Sequence, residues 1–192
     1  MSERVLDERV GAGAAMRSSE TAAAHVAARA NHMMGCDVAL WSAGGQAIAW
    51  EGLLEVARRL RRGAEEVLVE GFELTISMLG VTGRLSLAPE RTLRQTAVAD
   101  AMGLSLSRVS RVIDLLEQRN LVARGNCPAD ARATNVTLTR QGADLTARAQ
   151  RELFAFVQSN FFDHLDQDEV QSLATTFTHL LNRSPPVPLR AR

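Results

Sequence analysis

Several residue types are scarce or absent in this chain of 192 residues, and each absence argues against a class of protein. There is no Lys and no Tyr, and only 4% of the residues are aromatic. The two cysteines, Cys36 and Cys127, lie far apart and predict no disulfide framework. No apolar run approaches the ~18 residues that a membrane span needs. The first residues lack the apolar segment of a signal peptide, so we expect a cytoplasmic protein.

The common motifs of catalysis are missing as well. The sequence contains no G-x-S-x-G, no P-loop, no H-E-x-x-H and no Rossmann fingerprint. His164 lies near Asp163 and Asp166, a cluster that fits helix capping better than catalysis. We therefore expect neither an enzyme nor a bound cofactor.

Positive and negative charges balance in the chain as a whole but are unevenly distributed in the sequence. The net charge is zero, yet residues 91–140 contain eight Arg and four acidic residues, a local net charge of +4. Binding to phosphates depends on such a local field and not on the total charge of the chain. This segment is therefore a candidate nucleic-acid-binding region.

Hydrophobic periodicity predicts a mainly helical chain around that segment. Apolar residues recur at steps of three and four over residues 49–69, which predicts a long amphipathic helix that Gly71 closes. We expect a second helix over 73–81 and a turn-rich connection over 83–92. The first 48 residues form an extension that we expect to be partly disordered, with one helix over 19–34.

Two further helices are expected on the C-terminal side. One covers residues 141–162, and the other begins at Asp166, where Glu169 completes a capping box. Consecutive prolines then end the last helix, because proline cannot continue one. This leaves a Pro-rich tail over residues 184–192.

Between these helices, residues 93–142 follow the pattern of a winged helix-turn-helix. Gly103 can take the left-handed conformation that closes a short helix over 94–102. Ser105 can cap a second helix over 106–119. At ~100° per residue this second helix has an apolar face and a polar face. The apolar face carries Leu106, Val109, Ile113 and Leu116; the polar face carries Ser107, Arg108, Ser110 and Arg111.

The polar face has the composition of a DNA recognition helix, and Ser105 at its start is a fifth candidate DNA-binding residue of this helix. The first residues of such a helix meet base edges in the major groove, and an Arg fork pairs with guanine O6 and N7. Two short β-type segments follow, 121–124 and 134–138, joined by the polar loop of a wing. Arg132 is the candidate for insertion into the minor groove. Arg124 and Asp130 are further candidate DNA-binding residues of the wing. Asp130 can also pair with Arg124 or Arg132 and stiffen the loop.

Residues 50–183 resemble the MarR (multiple antibiotic resistance regulator) family of winged-helix regulators. The resemblance rests on residues 97–124, on the Asp130-Ala-Arg132 wing, on Val136-Thr-Leu-Thr-Arg-Gln-Gly142 and on residues 165–173. It implies an obligate homodimer with interleaved terminal helices, Arg132 in the minor groove, and control by a small ligand. It also implies that the polar face of the 106–119 helix lies in the major groove.

The chain departs from the family pattern at several positions. Asn120 replaces the usual Gly after the recognition helix, a change that preserves the turn because Asn tolerates left-handed backbone. Ala131 stands where a second wing Arg is common, and Arg94 is a poor N-cap. The extension before residue 49 lies outside the resemblance.

The outer helices carry more apolar surface than one winged domain can cover. A two-fold dimer would bury it isologously and place two recognition helices about 34 Å apart on a near-palindromic operator. The apolar residues concerned are Trp50, Leu53, Leu54, Leu60, Phe154, Phe161, Phe177 and Leu181.

The regulatory signal has several candidate sites. A ligand pocket could use Trp50, Leu54, Arg58, Phe72 and Met78, although a plain core is the better interpretation of the apolar members. His25, His32 and Cys36 would share one helical stripe and are weak metal candidates, with Asp37 or His164 as a fourth ligand. Cys127 in the wing is a candidate for oxidation, although it lacks a strongly activating environment.

These observations predict a mainly α fold with a small β-wing, in which a winged helix-turn-helix lobe over 91–142 lies within a domain over 49–183. Dimerisation helices over 49–69 and 141–183 flank the lobe. The predicted function is sequence-specific binding to double-stranded DNA by a homodimeric, ligand-responsive repressor. The alternative is a redox- or metal-sensing regulator switched through the extension or Cys127. A protein that uses this fold to bind partners other than DNA is a third interpretation.

Overall fold

The computed structural model describes residues 45–127 and 130–183, with the side chains of 126–133 excepted. Helices dominate and one small sheet is present, so the predicted fold class is confirmed. The described residues form six α-helices: α1 (Gln46–Phe72), α2 (Ile76–Leu87), α3 (Gln95–Met102), α4 (Leu106–Gln118), α5 (Arg140–Asn160) and α6 (Gln167–Arg183). Short 3₁₀ turns cover Pro89–Arg91 and Phe162–His164.

Three antiparallel strands form the sheet, in the order β1-β3-β2. They are β1 (Thr92–Arg94), β2 (Val122–Cys127) and β3 (Asp130–Leu138). β2 and β3 pair with Arg124 opposite Val136, and β1 joins the far side of β3 with Leu93 opposite Val136. The register of β2 and β3 shifts between Asn126 and Cys127.

The chain divides into two units, the first ending at Arg59 and the second beginning at Leu60. Within the first unit, the beginning of α1 carries Trp50, Leu53 and Leu54, each about 40% exposed. The second unit holds the hydrophobic core. Its fully buried side chains come from helices α1 to α5 and from the sheet, and include Leu68, Leu85, Ile113, Leu116 and Val136.

Local capping explains where the C-terminal helices begin. The Thr139 hydroxyl accepts the Gly142 N–H at 2.9 Å and donates to the Asn120 carbonyl at 2.8 Å, which ties the start of α5 to the end of α4. At α6, the Asp166 carboxylate accepts the Glu169 N–H at 2.8 Å, and the Glu169 carboxylate accepts the Asp166 N–H at 2.9 Å. The predicted capping box is therefore confirmed.

Several predicted boundaries are wrong. Gly71 does not end α1, which continues to Phe72; the chain turns at Glu73, whose φ of 53° is left-handed. Gly83 lies inside α2 and not in a loop, because α2 runs to Leu87 with its side chains buried against the core. The wing strands extend beyond 121–124 and 134–138, since strand pairing overrides the turn propensity of the residues between them. The sequence pattern also missed β1.

Candidate nucleic-acid interface

The turn between α3 and α4 is built as the sequence predicts. Gly103 has a φ of 61°, and its N–H donates to carbonyls of the last turn of α3. The Ser105 hydroxyl then accepts the Arg108 N–H at 3.4 Å and caps α4. Arg94 gives α3 no side-chain cap, as expected. The chain leaves α4 through Asn120, whose φ of 57° confirms that Asn takes the turn usually made by Gly.

Helix α4 has a buried face and an exposed face. Val109, Ile113 and Leu116 are fully buried, which fixes the rotation of the helix about its axis. Leu106 does not belong to the buried face as predicted, because it lies in the first turn beyond the core and remains 49% exposed. Three of the four predicted core contacts of α4 are thus confirmed.

The opposite face of α4 presents two exposed arginines. Arg108 and Arg111 are exposed, and neither forms a salt bridge with any residue that the structure describes. Ser107 is exposed and lies 3.2 Å from the Ser105 hydroxyl, while Ser110 is half-buried beside them. The structure therefore brings all five predicted recognition-helix residues onto one continuous surface.

Arg124 is anchored inside the winged lobe. Its guanidinium donates to Glu117 at 2.5 Å, to Asp114 at 2.6 Å and to the Ser110 carbonyl at 3.2 Å, and its side chain is 24% exposed. These bonds tie β2 to the exposed side of α4. Sequence analysis assigned Arg124 to DNA contact or to pairing with Asp130, whereas the structure gives it acidic partners on α4.

The same contacts act on the carboxyl group of Glu117. The pKa of Glu117 is held below its ordinary value by two hydrogen bonds from Arg124. The larger effect comes from the backbone N–H, 3.0 Å from the carboxylate, and the smaller one from the guanidinium. Both bonds favour the ionised carboxylate, and the guanidinium adds an attractive charge. The wing base is therefore an ion pair at neutral pH.

Two further arginines position the lobe and were not singled out by sequence analysis. Arg84 of α2 donates to the Ala101 carbonyl at 2.7 Å, which supports the end of α3. Arg119 donates to the Phe72 carbonyl at 2.9 Å and to the Glu73 carbonyl, which joins the end of α4 to the end of α1. The bonding partners of these two arginines lie 17 to 47 residues away in sequence. Local sequence patterns therefore could not predict the contacts.

The tip of the wing belongs only partly to the described structure. Asp130 and Arg132 lie on β3, and Cys127 ends β2, but their side chains are outside the described part. Their roles in minor-groove contact, loop stiffening and oxidation stay predictions. His25, His32, Cys36 and Asp37, the candidate metal ligands of the extension, also lie outside the described residues.

The candidate ligand-pocket residues divide between the two units. In the first unit, Trp50 and Leu54 are exposed, and Arg58 pairs with Glu55 at 2.8 Å, a bond that helps to lower the pKa of Glu55 to about 2. In the second unit, Met78 is a buried core residue and Phe72 packs against the core. The pocket stays a prediction, and the core interpretation holds for Met78. Among the described residues, no group of three or more His, Cys, Asp or Glu side chains is placed to hold a metal ion.

Comparison with known proteins supports the resemblance noted in the sequence. Residues 76–133 match the model of the MarR family. The uncharacterized HTH-type transcriptional regulator YhbI of Bacillus subtilis is 23% identical over 129 residues, which cover 66% of this chain and 82% of YhbI.

AbsC and Sco3205 are two of the solved structures that share the fold. AbsC, a MarR family transcriptional regulator from Streptomyces coelicolor, matches with 29% identity and a TM-score of 0.68, covering 74% of this chain and 95% of AbsC. Sco3205, a MarR family transcriptional regulator from the same organism solved in complex with DNA, matches with 24% identity and a TM-score of 0.70. That match covers 76% of this chain and 92% of Sco3205.

Proposed function

We propose that this chain is a regulator of the MarR family that binds double-stranded DNA in a sequence-specific manner. The match of residues 76–133 to the model of that family and the fold shared with AbsC support this proposal. The observation that carries the proposal is the exposed face of α4, where Arg108 and Arg111 have no ion-pair partner among the described residues. Exposed Arg on the first turns of a helix behind a Gly-Ser turn is the arrangement that reads base edges. The structure of Sco3205 with DNA supports the same use of the fold.

Recognition divides between the helix and the wing. Arg111 is proposed to pair with a guanine, and Ser107 and Ser110 are proposed to bond to bases or phosphates beside it. Arg132 is proposed to enter the adjacent minor groove, where the negative potential is concentrated. Arg124 holds the base of the wing against α4 through Glu117 and Asp114. It is therefore a positioning residue in this proposal.

We infer that the protein acts as a homodimer. Helix α6 contains no buried residue, and apolar Phe177, Leu180 and Leu181 are 40%, 52% and 79% exposed. Phe154 of α5 is 67% exposed. An isolated chain would leave these side chains in water, whereas a two-fold partner would cover them. Two recognition helices would then lie about 34 Å apart on a near-palindromic site.

Repression controlled by a small effector is the regulatory mode that we propose. A dimer bound across an operator blocks access to the promoter, and an effector that favours a different spacing of the two lobes would release it. Such a regulator acts on DNA in the cytoplasm. No helix within residues 45–127 or 130–183 is long and apolar enough to cross a bilayer.

Fluorescence anisotropy with the DNA upstream of the protein's own gene tests this function. The proposal expects tight binding that weakens steeply as salt is raised, because Arg–phosphate contacts release counterions. A scrambled duplex of the same length and composition is the control. Equal affinity for the two duplexes, followed by failure of a random-sequence selection to enrich any site, would contradict sequence-specific recognition.

A further inference from the structure

A second cationic site lies on the winged lobe, apart from the exposed face of α4 already described. A groove of about 500 Å³ opens between the end of α4 and the first half of α5. Three arginines line it, Arg119, Arg140 and Arg148, together with a single acid, Asp144. The charged lining therefore has a net charge of +2.

The helical repeat explains why these charges converge. Arg140, Asp144 and Arg148 are spaced by four residues on α5, so they lie within about 80° of one another on one face. Arg119 comes from the end of α4, where its bonds to the Phe72 and Glu73 carbonyls hold its side chain in place. Neither Arg140 nor Arg148 has a salt-bridge partner in the part of the chain that the structure describes.

The groove also has an apolar part. Leu121 lines it from a nearly buried position, and Leu145 lines it from a partly buried one. Guanidinium groups pair with carboxylate and phosphate oxygens through two parallel N–H bonds, and they are weakly hydrated compared with an ammonium group. A ligand that suits this lining has a doubly negative head group and a small apolar body.

We propose that this groove binds a small organic dianion. Arg140 and Arg148, which have no salt-bridge partner among the described residues, supply most of the binding energy. The Arg119 guanidinium, which also lies 3.4 Å from the Glu73 carboxylate, forms the opposite wall. Because Arg119 also joins the end of α4 to the end of α1, the bound anion contacts the residue that sets the position of the recognition helix. The site does not depend on DNA binding, so the two can be tested separately.

Isothermal titration of the full-length protein at constant ionic strength tests the proposal. Phenyl phosphate and phthalate are the two dianionic probes, and benzoate is the singly charged control. We expect saturable binding of one dianion per chain, with at least one probe preferred over benzoate. Preference for phenyl phosphate would identify the ligand class as a phosphate ester, and preference for phthalate would identify it as a dicarboxylate.

Matched variants locate the binding site. Arg140→Gln and Arg148→Gln should each weaken binding by about tenfold, the loss expected for one charged hydrogen bond. Arg61→Gln removes the same charge from an exposed position on α1 outside the groove lining and should leave the affinity within about twofold of wild type. Thermal unfolding of each variant checks that the fold is retained.

Three results would overturn the proposal. The first is the absence of saturable binding of either dianion. The second is an equal loss in Arg61→Gln, which would mean that the general field of the protein attracts the probe. The third is a loss of DNA affinity in Arg148→Gln as large as that in Arg111→Ala, which would identify the groove as a contact for DNA phosphates.

Discussion

The arginines of the winged lobe have two different roles, and the bonding partners of each side chain show which role it has. Arg84, Arg119 and Arg124 donate to carbonyls or carboxylates of other elements and hold the lobe together. Arg108 and Arg111 have no such partners among the described residues, so their donors remain available to a ligand. In a chain without Lys, charge alone therefore does not distinguish the arginines that we propose to face DNA from those that position the lobe. The hydrogen-bond and ion-pair partners of each side chain make that distinction.

At the residue scale, we predict that Glu117→Gln alters stability toward acid. The folded-state pKa of Glu117 is depressed, so the ion pair with Arg124 contributes fully above the unfolded pKa of about 4.3. This contribution is lost as the pH falls through the lower folded value. The variant should be less stable than wild type at neutral pH, and the difference should shrink below about pH 4.

Urea unfolding over a pH series measures this effect. Glu152→Gln, which neutralises an exposed carboxylate on α5, is the matched control and should follow the wild-type curve. A constant difference between Glu117→Gln and wild type down to acid pH would show that the Arg124 contact does not depend on the charge of Glu117.

At the scale of elements, the junction of β2 and α5 depends on a glycine. A Cβ on Gly142 would collide with the backbone carbonyl of Leu121 and lie 2.9 Å from the Leu138 Cδ1. The start of α5 and the segment before β2 cannot move apart to relieve this collision, because Thr139 bonds both to Gly142 of α5 and to Asn120 in the turn after α4. This is the glycine that closes the Val136–Gly142 motif noted in the sequence.

We predict that Gly142→Ala lowers the free energy of unfolding by about 1–3 kcal/mol, the usual cost of overpacking. Gly71→Ala is the control: nothing lies within 4 Å of its Cβ position, and Ala is the better helix former there. Chemical denaturation of both variants measures the difference. A Gly142→Ala protein as stable as Gly71→Ala would mean that the helix start yields easily.

Elements with local signals could be predicted from the sequence. Helix α4, its Ser105 cap and the left-handed turns at Gly103 and Asn120 follow from periodicity and capping, and the structure confirms them. The extension of α2 through Gly83 was missed because tertiary packing overrode a weak local preference. Strand β1 has three residues and exists only through its pairing with β3.

The candidate site was predictable to a similar extent. The exposed positions Ser107, Arg108 and Arg111 follow from the helical repeat. The anchoring of Arg124 depends on the packing of β2 against α4, which brings its side chain to Glu117 and Asp114. No spacing rule in the sequence predicts that contact.

At the scale of the whole molecule, the exposed apolar residues of α6 support assembly. We predict that Leu181→Glu, at a position that is 79% exposed in the single chain, shifts a homodimer to monomers, because a charge would be buried at the interface. Size-exclusion chromatography with light scattering measures the mass. Leu87→Glu, at an 88% exposed position on α2, is the control and should remain dimeric. A dimeric Leu181→Glu protein would place the interface elsewhere.

The most direct test of the account is the affinity of Arg111→Ala for a DNA site selected with the wild-type protein. Arg62→Ala, which removes an exposed Arg from α1 and its pair with Glu66, is the matched control. We predict that Arg111→Ala loses about 1–3 kcal/mol on the selected site and much less on a scrambled duplex, while Arg62→Ala matches wild type on both. Equal affinity of Arg111→Ala and wild type for the selected site would contradict the claim that the exposed face of α4 reads DNA sequence.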